Sequence, residues 1–110
     1  MPIPCHIDFS VFLADGTAYG NVAGTMELPF VPRVGENISF LFPDNGVMPL
    51  VVPEFSGIQR VNNVTYNLSE LSAQVLLSLE DVTLATRAQA QDLFHFFYKG
   101  YGLCGYEYEL

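Results

Sequence analysis

Apolar and polar residues alternate from the first residues of the chain. From His6 to Ala14, Ile7, Phe9, Val11 and Leu13 fall on one side of an extended backbone, with Asp8, Ser10, Phe12 and Ala14 on the other. A period of two with one wholly apolar side predicts a β-strand with a single buried face. Asp15-Gly16 follows, a pair that tolerates positive φ, and it predicts a hairpin. Thr17 to Leu28 then returns beside the first strand, with Ala18, Gly20, Val22, Gly24, Met26 and Leu28 as its alternate set. So many small residues on one side predict a strongly bent strand, as small barrels need.

Pro29 to Glu36 cannot run inside a sheet, because Pro29 and Pro32 lack amide donors. It reads as a connection whose Phe30 and Val34 plug one end of the core. Asn37 to Phe42 is a third strand with Ile38, Phe40 and Phe42 on one side, and Pro43-Asp44-Asn45-Gly46 is a turn. Val47 to Pro53, a β-branched run broken by prolines, reads as an edge strand or covered loop. Phe55 to Tyr66 is a strand with a bulge or turn at Asn62-Asn63, and Asn67 to Ser72 is a turn. Ala73 to Leu84 follows as a strand that Glu80-Asp81 interrupts.

One helix is signalled. Thr86 and Gln89 form a capping box, Arg87 to Tyr98 lacks glycine and proline, and Lys99-Gly100 suits a C-terminus. Ala90, Leu93, Phe94, Phe97 and Tyr101 make one stripe, widened by Phe96, and so broad an aromatic face must pack on a sheet or a partner. The tail from Leu103 to Leu110 alternates Tyr106 and Tyr108 with Glu107 and Glu109, the pattern of a final edge strand.

These elements predict a mainly β (β+α) fold. The expectation is a small, strongly bent antiparallel sheet, or an open barrel of about five to six strands, with one C-terminal helix packed on it. Neighbouring strands pair most often, which predicts a meander. Glu27 to Phe42, with Pro32-Arg33-Val34-Gly35-Glu36 between two apolar strands, resembles the second-to-third strand junction of small SH3-like bacterial β-barrel domains of unknown function. That resemblance implies a barrel topology and carries no functional residues with it.

Composition narrows the functional classes. The 110 residues suit a single compact domain spanning 1–110, and half of them are hydrophobic, so the chain is not a disordered one. Four Lys and Arg against twelve Asp and Glu give a net charge of −8, which sets like charge against a phosphate backbone and argues against nucleic acid. No run approaches about eighteen apolar residues, so no membrane span is expected, and the start of the chain lacks the pattern of a signal peptide. A cytoplasmic location follows, with Cys5 and Cys104 reduced. Charged residues make up only 15% of the chain, and from Val61 to Leu79 the sole charge is Glu70. Small domains usually carry about 25–35% charge on the surface, so part of this surface is expected to be covered by another subunit.

Candidate chemistry is sparse. Cys5, His6, His95 and Cys104 would make a four-ligand metal site only if the chain ends met, without the paired spacing that zinc sites favour. His95 has Asp92 one turn earlier on the helix, the spacing of an ordinary polar pair. No catalytic residue, metal or cofactor is therefore expected, and enzyme activity is not the leading reading. That reading is a non-catalytic, acidic binding or assembly domain that forms a homodimer or engages a protein partner. Phe96, Tyr98, Tyr106 and Tyr108 are its interface candidates, since tyrosine is at home in interfaces. The alternatives are a small-molecule pocket between helix and sheet, walled by Phe94, Phe97, Tyr101, Met26, Phe40 and Tyr66, and an acidic inhibitor or immunity-type protein directed at a basic target.

Overall fold

A computed structural model describes residues 2–40, 54–68 and 73–108. Strand β1, Ile3–Leu13, begins three residues before the regular alternation and is followed by β2, Ala18–Leu28. The turn between them is longer than a two-residue hairpin. The Leu13 amide donates to the Thr17 carbonyl (2.9 Å), the Gly16 amide to the Leu13 carbonyl (2.9 Å), and Gly16 takes φ +89°. This is a three-residue connection with glycine in the left-handed position. Asp15 steadies it by accepting from the Thr17 amide at 2.9 Å, a bond that holds its carboxyl below the usual value.

The remaining strands are β3 (Asn37–Ser39), β4 (Ile58–Leu68), β5 (Ala73–Leu79), β6 (Val82–Leu84) and β7 (Cys104–Glu107). The expected bulge in β4 occurs between Val61 and Asn63, and Glu80-Asp81 separates β5 from β6. The turn at Pro43 to Gly46, the strand or loop from Val47 to Pro53, the third strand's end at Leu41 and Phe42, and most of the turn after Asn67 lie outside the described residues.

Topology overturns the barrel. The strand order is β3-β4-β5-β1-β2-β7, with β6 also paired to β1, so the sheet ends at β3 and β7 and does not close. Nor is it a meander or wholly antiparallel, because β5 and β6 run parallel to β1. The chain leaves β2, forms β3 and β4 at the far edge, and returns through β5 to the flank of β1. β1 is thereby the centre of the sheet. The resemblance to an SH3-like domain does not survive this mixed, open arrangement. The glycines of β2 have a different purpose from bending: a Cβ on Gly24 would lie 2.9 Å from Leu103 Cδ2 and 3.3 Å from Leu103 Cα. They let the segment after the helix lie against the sheet.

Helix α1, Arg87–Tyr101, packs on one face of the sheet. Thr86 accepts from the Gln89 amide (3.2 Å), and Gln89 Oε1 accepts in return from the Ala85 amide (3.0 Å). The capping box thus closes one residue further back than the usual pattern. The helix runs past Gly100 and stops at Gly102, where φ is +70° and the Gly102 and Leu103 amides donate to the carbonyls of Tyr98 and Phe97 (both 3.1 Å). Leu103 is fully buried, which anchors the exit.

The core lies between helix and sheet. β1 contributes Ile7, Phe9 and Val11, β5 contributes Leu77, and α1 contributes Leu93 and Phe97. Phe97 is the hub: its ring lies 5.2 Å from that of Phe9, 5.0 Å from Phe40 and 5.9 Å from Phe55. Gln59 is the buried polar residue among the described ones, and its Nε2 donates to the Glu80 carbonyl at 3.0 Å. Among the described residues no helix is long and apolar enough to cross a membrane.

Replacing Phe97 with Ala removes a ring in contact with five aromatic neighbours and leaves a cavity, so Phe97→Ala should cost about 3–5 kcal/mol of unfolding free energy. Urea unfolding followed by circular dichroism measures it. A loss below about 1 kcal/mol would show that this ring is not the hub of the core.

Candidate functional site

The six aromatic and apolar residues expected to wall a pocket do not share one wall. Phe40, Phe97 and Tyr101 meet, with ring centroids 5.0 Å apart for Phe40–Phe97 and Phe40–Tyr101 and 6.0 Å for Phe97–Tyr101. The first two pairs are edge to face and the third tilted, all at packing distance, so the three rings are in mutual contact. Phe94 points elsewhere, to Tyr19 at 5.2 Å and to the backbone of Gly20 and Gly105. Met26 and Tyr66 share the helix-side face in the row Tyr66–Val75–Cys5–Met26, three strand spacings apart. That separates them by about 14 Å.

The interface candidates also divide. Phe96 is only 4% exposed and packs on Phe97 and Tyr101 (5.4 and 5.8 Å), because it falls with Leu93 and Phe97 on the buried side of the helix. Tyr98, Tyr106 and Tyr108 are exposed, the first with Lys99 Nζ 5.7 Å from its ring centroid. Tyr106 pairs with Asn21 on edge strand β7, on the sheet face away from α1.

Other apolar side chains are more exposed than these tyrosines. Leu68 is 76% exposed, Phe30 68%, and Tyr66 and Val34 60% each. Phe30 and Val34, expected to plug the core, lie outside it. Tyr66 and Leu68 follow from lengths. A helix of 15 residues spans about 22 Å, whereas an eleven-residue strand spans about 36 Å, so α1 cannot cover the full length of β1, β2 and β4. Leu103 crosses the sheet at Gly24, opposite Ile7, and the rows beyond it lie past the end of the helix. There Met26 and Leu28 are half-buried, and Tyr66 and Leu68 stand open. The signal for this strip was the charge-poor stretch from Val61 to Leu79, which is β4 and β5.

Among the described residues, the opposite face of the sheet carries no helix. It presents His6, Asp8, Ser10 and Phe12 from β1, all half-buried, with Asn21 and Ala23 beside them on β2. Cys104 belongs to this face, because it pairs with Ala23, which pairs with Asp8. Cys5 is on the helix side and fully buried, and burial pushes its thiol up. The two cysteines therefore lie on opposite faces of the sheet. His95 and Asp92 are exposed on α1. Cys5, His6, His95 and Cys104 do not converge, and among the described residues no group of three or more His, Cys, Asp and Glu could hold a metal ion.

One polar arrangement was not visible in the sequence. The Tyr19 hydroxyl donates to Glu107 Oε1 at 2.5 Å, the Tyr108 amide donates to the Tyr19 carbonyl at 2.9 Å, and Arg87 Cζ lies 5.6 Å from the centroid of the Tyr19 ring. Burial, with the carboxylate acceptor beside it, pushes the Tyr19 hydroxyl up to about 12 from its usual 10.0. The bulge between Val11 and Phe12 in the β1–β2 register makes this possible by turning Tyr19 toward the helix beside Gly20. Its evident role is to tie β7 to the body of the fold.

Compared with protein families, with curated proteins and with solved structures, the chain shows no match.

Two outcomes follow from this geometry. Because the Tyr19 hydroxyl is raised in the folded chain, its contribution to stability is complete below about pH 10 and is lost as pH rises toward 12. Tyr19→Phe should flatten that alkaline limb, and an unchanged limb in stability measured against pH would refute the assignment. In the folded protein a thiol reagent should modify Cys104 quickly and Cys5 only at the rate of opening. Mass spectrometry of the Cys104→Ser variant checks this, and rapid labelling of Cys5 would contradict its burial.

Proposed function

We propose that this chain is a single-domain, acidic, non-catalytic assembly domain that acts through a homodimer or a protein partner. The observation that carries the reading is the exposure of Tyr66 and Leu68 on the helix-side face of β4, in a stretch of chain almost free of charge. Large apolar side chains left in water favour association, since each loses its unfavourable hydration on contact. Tyr98, Tyr106 and Tyr108 supply further amphipathic contact area. The net charge of −8 disfavours nucleic acid and speeds encounter with a basic protein. In this reading the domain works in the cytoplasm with both cysteines as thiols.

A ligand pocket between helix and sheet draws less support, because Phe40, Phe97 and Tyr101 are already in mutual contact. An immunity-type role shares the acidic charge, but Asp8, Asp15, Glu27, Glu54 and Asp81 are spread along separate elements.

Sedimentation velocity at micromolar concentration tests the proposal. The expected result is a species heavier than one chain that becomes a monomer in the double variant Tyr66→Ser with Leu68→Ser. Both sites are exposed, so each substitution should change unfolding free energy by no more than about 0.5 kcal/mol, and lost assembly is then not lost folding. A monodisperse monomer for the natural chain would remove the homodimer. An assembly that the double variant leaves intact would remove the strip as its interface.

A further inference from the structure

We draw no further inference here: the strongest candidate, the exposed apolar pair Tyr66 and Leu68 on the helix-side face of β4, belongs to the surface already described, and nothing in the structure shows what covers it.

Discussion

The contact of Phe97 with Phe9 holds the two ends of the chain in one core, and the architecture depends on it. Phe9 lies on the central strand and Phe97 on the only helix among the described residues. Their rings meet edge to face at 5.2 Å, and Phe40 and Phe55 close on the same ring from the segments flanking the undescribed residues 41–53. Contacts this distant in sequence carry a high loop-closure cost, which burial of several aromatic rings at one point offsets. Once α1 is held over Phe9, its axis and its end are set. At the other end of the sheet Tyr66 and Leu68 of β4 are left open to solvent.

Placing β1 at the centre also explains the distribution of polar groups. From Cys5 to Leu13 its odd-numbered residues lie on the helix-side face and are buried, while His6, Asp8, Ser10 and Phe12 face away and are only half-buried. An antiparallel neighbour on one flank and parallel neighbours on the other satisfy its backbone on both sides. Among the described residues the edge strands are short, three residues in β3 and four in β7. Short edge strands limit unwanted strand pairing, and Tyr19 adds a fastening at the β7 edge through Glu107.

The surface on which the functional proposal rests was half legible. Low charge between Val61 and Leu79 coincides with the part of β4 that carries exposed Tyr66 and Leu68. It could not single out Tyr66 and Leu68, because their exposure depends on where the helix ends above strands that sequence places elsewhere. Phe96 shows the converse. Its aromatic character marked it for an interface, yet it packs against Phe97 and Tyr101 and is enclosed in the core. The cysteines were separated by strand parity: Cys5 falls on the helix side, and the register of β7 puts Cys104 on the other.

Local rules, acting through neighbours along the chain, determined the elements themselves. Alternation gave β1, Thr86 and Gln89 gave the start of the helix, and Asn62-Asn63 and Glu80-Asp81 marked the bulge and the break. Each depends on spacings of a few residues, which the amino-acid order states directly. Tertiary structure alone decided that β5 returns parallel to β1, that the sheet stays open, and that Gly24 admits Leu103 instead of bending a barrel. Those outcomes turn on which distant surfaces bury one another best, and a strand's hydrophobic face does not specify its partner.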